Sequence, residues 1–200
     1  MKRIAFVGAK GGVGKTTSAM LTAAALASTN EPVAVVDTDP QESARAWART
    51  AQESVMPLPF PVIAGGLDFA KRVPTDVEWA VLDTPPGDQK IIQAAAKWAD
   101  LIILPTRPGA LEMLQLGPVL DLARTTNTPA AVLVTQARAG VKENEETAEA
   151  LSDAGAFVFD AQIPMRARTA RLPLVHPSIR DLEASGYMDI AKEIIGAFSE

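Results

Sequence analysis

The chain has 200 residues, 48% of them hydrophobic and 22% charged, with a formal net charge of −5. That length suits one domain with a sizeable core, and the acidic total argues against wholesale polyanion binding while leaving room for a local basic patch. The absence of cysteine excludes disulfides and thiolate metal sites.

The first apolar run, Arg3–Val7, reads as a strand and leads through Gly8 and Ala9 into Lys10-Gly11-Gly12-Val13-Gly14-Lys15-Thr16-Thr17. A helix is expected over Lys15–Ser28. A glycine loop between strand and helix offers backbone N–H groups to an anion, and the helix N-terminus adds its positive dipole end. In such a loop Lys15 reaches the outer phosphates and the Thr16 hydroxyl coordinates Mg²⁺. The general phosphate-loop pattern, G-x-x-x-x-G-K-[ST], asks for glycine at position 9, where Ala9 stands.

The second strand, Val33–Asp37, runs into Thr38-Asp39-Pro40-Gln41, placing two carboxylates at the strand edge where open α/β sheets bind ligands. A helix over Gln41–Gln52 and a stiff Pro-rich connection, Met56 to Pro61, lead to a strand at Phe60–Ile63. The strand Ala80–Asp83 again ends in a carboxylate, followed by Thr84-Pro85-Pro86-Gly87. Then come helix Gln89–Trp98, strand Leu101–Leu104, helix Leu111–Arg124, strand Ala130–Thr135, helix Lys142–Ala154 and strand Ala156–Asp160. A last helix spans Ile179 to Phe198, with a break expected at Gly186.

The strands mostly lack polar alternation, as strands covered on both faces do. The reading is therefore α/β: a single domain over residues 1–200, with a doubly wound, mostly parallel sheet and helices on both faces. A base is expected between Gln136-Ala137-Arg138 and Ile163-Pro164-Met165. With no N-K-x-D run to read guanine, adenine is favoured. Trp47, Trp79 and Trp98 are expected at helix–sheet contacts, and His176 stands alone without a metal role. No apolar stretch approaches the roughly 20 residues of a membrane span, so a soluble, cytoplasmic protein is expected.

Three segments together carry a family resemblance. Lys10 to Thr17 matches the deviant phosphate loop K-G-G-x-G-K-[ST], Val36-Asp37-Thr38-Asp39-Pro40-Gln41 resembles V-D-x-D-P-Q, and Leu82-Asp83-Thr84-Pro85-Pro86 is similar to L-D-T-P-P. The chain resembles the ParA/MinD-type ATPases, P-loop NTPases with a deviant Walker A loop. Because it begins at the first strand, it is most similar to small ParA-like plasmid partition proteins without an N-terminal DNA-binding domain.

The resemblance implies ATP and ADP as ligands with Mg²⁺, and an ATP-bound homodimer that binds double-stranded DNA without sequence preference. Hydrolysis would be slow and stimulated by a ParB-like or small centromere-binding adaptor, on the nucleoid and away from any membrane. Lys10 would reach across the dimer to the partner's nucleotide, and Lys15 would complete the phosphate contacts. Asp39 would position the attacking water, Asp37 would support the magnesium side, and Asp83 would hold Mg²⁺ through water beside Thr16. Nucleotide contacts would come from Lys10, Gly11, Gly12, Val13, Gly14, Lys15, Thr16, Thr17, Pro164 and Met165.

Arg166, Arg168 and Arg171 form a local basic cluster, suited to salt-dependent contacts with DNA phosphates. Two other readings stay open. One is a MinD-like cycle on a membrane or a protein assembly, although the last segment sets Asp189, Glu193 and Glu200 against a single Lys192, a face that anionic lipid repels. The other is a ligase or synthetase acting on a small carboxylate.

Overall fold

The strands are short and mostly apolar, most are followed by a helix that returns the chain, and every pairing is parallel. The computed structural model describes residues 1–54, 56–165 and 175–199. The strands are β1 (Lys2–Phe6), β2 (Val33–Asp37), β3 (Val62–Ala64), β4 (Trp79–Asp83), β5 (Leu101–Thr106), β6 (Ala130–Val134) and β7 (Phe157–Val158). The helices are α1 (Lys15–Ala27), α2 (Ser43–Glu53), α3 (Gln89–Trp98), α4 (Ala110–Leu114), α5 (Gly117–Thr126), α6 (Glu143–Asp153), α7 (Ile179–Ser185) and α8 (Tyr187–Ala197). The sheet order is β3-β2-β4-β1-β5-β6-β7.

Alternate residues of each strand feed two separate cores. Ile4, Phe6, Val35, Val81 and Ile103 pack with α1, α2, α7 and α8 on one face. Ala5, Val36, Leu82, Ile102 and Leu104 pack with α3, α5 and α6 on the other. This is why the strand sequences show no polar alternation. Helix α1 is alanine-rich because it lies between the sheet and α8, with Ala19, Leu21, Ala23, Ala25 and Leu26 fully buried. Ser18 Oγ and Tyr187 Oη sit 2.9 Å apart inside that layer. Burial pushes the Tyr187 phenol well above its ordinary range, so it stays neutral and can donate.

Several boundaries depart from expectation, each for a local reason. Strand β3 begins at Val62, two residues late, because Pro61 has no N–H to give; its carbonyl instead accepts from Val35 N at 3.0 Å. Strand β5 continues through Pro105, which is tolerated because the β1 partner has already ended opposite Ile103. Helix α2 starts at Ser43, since Glu42 takes a left-handed φ of 57°. The single helix expected over Leu111–Arg124 is two helices, because Pro118 lacks the N–H that a continuous helix requires there. The terminal helix does break at Gly186, where φ is 86°.

Gly65 closes the turn after β3, its N–H donating to Asp37 O at 2.8 Å. A Cβ there would lie 2.6 Å from Val36 Cγ1, 3.0 Å from Thr38 Cγ2 and 3.1 Å from Phe69 Cβ. Gly65→Ala is expected to cost about 1 to 3 kcal/mol through overpacking. Gly196→Ala, on an exposed helical position with open space around it, should stabilise by about 0.5 to 1 kcal/mol. Urea midpoints of the two variants check both signs.

Candidate nucleotide site

A parallel sheet delivers all its strand C-termini to one edge, and the segments singled out above meet there. The loop from Gly8 to Gly14 follows β1, with β4 on one side and β5 on the other. Asp37 and Asp83 end neighbouring strands as direct register partners. The chain order reverses around β1, the place where open sheets leave a crevice.

Helix α1 begins after Gly14, whose φ is 93°, and has no side-chain cap and no acidic residue in its first turn. Its first N–H groups therefore face the loop without an internal partner. Lys15 is 6% exposed, and its ammonium folds back to donate to Lys10 O at 2.6 Å. Burial lowers its pKa, while Asp83 and Asp39 pull it back up. The loop is also tied from outside. Thr135 Oγ1 donates to Val13 O at 2.9 Å, and Arg107 Nη2 and Gln136 Nε2 both donate to Gly12 O, at 2.6 and 3.0 Å.

The two strand-end carboxylates differ. Asp37 is buried, but Oδ1 accepts from Asp39 N at 3.0 Å and Oδ2 from Arg45 N at 3.1 Å, with Arg45 Nε 3.6 Å away. Burial raises its pKa and these donors oppose the rise. Asp83 is equally buried, yet neither carboxylate oxygen has a hydrogen-bond partner among the described residues. Burial pushes it up to about 7. The neighbouring Thr16 hydroxyl pulls it down, although no bond of ordinary geometry closes between them, and Asp37 pushes it up further. A buried carboxylate with open oxygens beside a hydroxyl fits a hard cation or its bound water. Among the described residues no group of three or more His, Cys, Asp or Glu side chains could by itself hold a metal ion.

Asp39 is half-buried, with Oδ1 accepting from Gln41 N at 2.9 Å. Lys10 is half-exposed and lies 3.4 Å from Glu112 Oε2 on α4. The loops after β6 and β7 join through a bridge between Ala137 and Pro164, with Met165 N donating to Ala137 O at 2.7 Å. Beside them is a cavity of about 620 Å³ lined by Arg138, Val141, Asn144, Gln162, Pro164 and Met165, among others. Its size falls within the range of small-ligand pockets. Asn144 braces its wall by donating to Arg138 O at 2.7 Å. Arg166, Arg168 and Arg171 lie outside the described residues.

Sequence reading missed Arg107, Thr135 and Arg45, and singled out Gln136 only for the base-side loop, not for its bond to Gly12 O. The available signal was their position: Arg107 and Gln136 are the first charged or amide side chains after buried strands ending at this edge.

The profile of the CobQ/CobB/MinD/ParA nucleotide binding domain, CbiA, matches residues 4–179. Over 173 residues the chain is 34% identical to maintenance of carboxysome distribution protein A of Gloeobacter kilaueensis, covering 80% of this chain and 75% of that one. Over 155 residues it is 26% identical to a ParA protein of Rhizobium radiobacter, covering 74% and 70%. A Cyanothece McdA–ATP complex superposes over 98% of this chain and 96% of that one, with a TM-score of 0.79 at 16% identity. The cobyrinic acid a,c-diamide synthase of Mycobacterium smegmatis with ADP and magnesium gives 0.78 at 15% identity, over 100% and 96%. At such identities the structural likenesses speak for the fold alone.

The Asp83 shift has a definite sign. An acid whose folded pKa is near 7 and whose ordinary value is 3.8 favours the folded state only while protonated. Its contribution is complete below pH ~4 and disappears as pH rises through about 7. The ligand-free protein should therefore lose stability between pH 5 and pH 8. Asp83→Asn should flatten that slope by on the order of a few kcal/mol, as measured by urea denaturation at both pH values.

Proposed function

The chain belongs to the CobQ/CobB/MinD/ParA nucleotide binding domain family, and on that premise we propose that it is a ParA-like partition ATPase. In this reading residues 1–200 form one ATPase domain that dimerises with ATP, binds double-stranded DNA without sequence preference and hydrolyses ATP slowly. A ParB-like or small centromere-binding adaptor stimulates that hydrolysis, and the cycle positions a plasmid or other DNA cargo on the nucleoid in the cytoplasm. The observation that carries the reading is the convergence on one sheet edge of an uncapped glycine loop, a half-exposed Lys10 and the unpartnered Asp83 carboxylate.

The residues divide the work by position. Backbone N–H groups from Gly11 to Gly14 and the Lys15 ammonium hold the phosphates, and Thr17 extends that contact along the first turn of α1. Thr16 and Asp83, the latter through water, would hold Mg²⁺, which when bound neutralises charge on the phosphate oxygens. Asp37, occupied by the Asp39 N–H and Arg45, fixes the turn that presents Asp39. Asp39 positions the attacking water. Pro164 and Met165 bound the base cavity.

Among the described residues the Lys10 ammonium is held by a partly exposed ion pair with Glu112, a contact worth little in water that it can leave to turn outward. Reaching the partner's nucleotide, its charge would stabilise negative charge developing between the phosphates. An isolated chain would then have an incomplete site.

No helix of the described residues is long and apolar enough to cross a membrane. The apolar side of α8 is turned inward, with Tyr187, Ile190 and Ile194 buried, which supports a docked helix over a lipid anchor. The DNA contact is proposed for Arg166, Arg168 and Arg171 on their sequence alone. A second cargo class, a protein assembly, is favoured by the name of the 34% identical relative and would use the same nucleotide cycle.

Lys10→Ala is expected to keep nucleotide binding while losing ATP-dependent dimerisation and hydrolysis, as read by light scattering and phosphate release. Asp39→Ala should accumulate an ATP-bound dimer with little turnover; rapid turnover in that variant would move the water-positioning role elsewhere. ATP-loaded protein should retain duplex DNA at low salt and release it steeply as salt rises. No retention even at low salt would favour the protein-assembly cargo.

A further inference from the structure

The loop's backbone is set from outside by side chains distant in sequence. Gly12 O accepts two donors, Arg107 Nη2 from the end of β5 and Gln136 Nε2 from the end of β6. The next carbonyl, Val13 O, accepts from Thr135 Oγ1, which is itself anchored within 3.1 Å of Thr106 O. Across a trans peptide, C=O and the following N–H point to opposite sides, and the described residues contain no cis peptide. Donors that hold Gly12 O and Val13 O on one side therefore turn the N–H groups of Val13 and Gly14 to the other. Among the described residues those two N–H groups meet no acceptor. They are thus left as successive oriented donors, the arrangement that makes a backbone anion nest.

We propose that Arg107, assisted by Gln136 and Thr135, is a positioning residue for nucleotide binding: it holds the Gly12 peptide so that the Val13 N–H is aimed at the phosphates before any ligand arrives. The inference rests on the reading of this loop as a phosphate cradle and adds to it residues outside the loop motif.

Three features single out Arg107. Its bond is the charge-assisted member of the set and the shortest, and such bonds are about twice as strong as neutral ones. Gly12 adopts a φ of +77°, which side chains rarely tolerate, and a Cβ there would stand 2.9 Å from Arg107 Nη2. The guanidinium thus occupies space that only glycine leaves open. Arg107 also opens the short segment that ends in α4, whose Glu112 pairs with Lys10.

A loop already oriented does not spend binding energy on ordering itself when ligand enters. Removing the grip should weaken every ligand that uses the Val13 N–H, whatever the number of its phosphates. Calorimetric titration of the full chain with ATP and with ADP, in magnesium buffer, tests this. Arg107→Ala should weaken both nucleotides alike, by about tenfold, with the ligand-free melting temperature within about 2 °C of wild type. Arg107→Lys should recover part of the loss, and Gln136→Ala should lose less because Arg107 still holds the carbonyl.

Wild-type affinity for both nucleotides in Arg107→Ala would overturn the inference alone. A loss confined to ATP would also overturn it, since the guanidinium would then be touching the terminal phosphate instead. A melting temperature falling together with affinity would reduce Arg107 to general stability. If the wild-type chain bound neither nucleotide, the reading of the loop would fall first and the inference with it.

Discussion

In an all-parallel sheet, direction is a constraint on chemistry. Each strand must return to the same starting edge, so every strand tip, with the loop that follows it, is sent to the opposite edge. Here that geometry collects a glycine loop, two aspartates, a threonine and an arginine from strands far apart in sequence. Neighbouring strands lie only about 4.8 Å apart, so functional groups separated by tens of residues become neighbours without any dedicated folding motif. The two cores serve this arrangement by fixing the sheet rigidly from both faces.

The same edge concentrates charge where water is scarce. Lys15, Asp37 and Asp83 are all nearly or wholly buried, and an unpaired buried charge is unfavourable. The protein answers each differently. Asp37 is given donors from its own turn and from Arg45. Lys15 is bent onto a loop carbonyl. Asp83 has no hydrogen-bond partner among the described residues, only the nearby Thr16 hydroxyl and the Lys15 charge, and burial pushes its pKa up to about 7. The ligand-free site is therefore under electrostatic tension that polyphosphate and a divalent cation would relieve together, since one supplies acceptors to the lysine and loop and the other satisfies the carboxylate.

Much of this was legible in the chain because buried parallel strands announce themselves as unbroken runs of branched apolar residues. Val33–Asp37 was legible to the residue, and Ala80–Asp83 misses only Trp79. The two loops expected to enclose a base, around Gln136–Arg138 and Ile163–Met165, do meet. What could not be read was adjacency. No local signal says that β1 lies between β4 and β5, that Arg107 reaches a carbonyl 95 positions earlier, or that Lys10 sits beside Glu112. These depend on which strands pair, a global result. The break before Pro118 is different: its signal was local, and helical periodicity on either side of it obscured the proline.

The packing of α8 on α1, joined by Ser18 and Tyr187, ties the phosphate-loop helix to a segment made some 170 residues later. A ribosome releases the loop early, but α8, which covers its helix, emerges only after the intervening strands and helices. Until then the apolar faces of α1 have no lid, and the loop lacks a fixed base. Domains that must wait in this way complete their sites only after most of the chain has been delivered. The setting of the loop's helix would thus be completed only once α8 has been delivered.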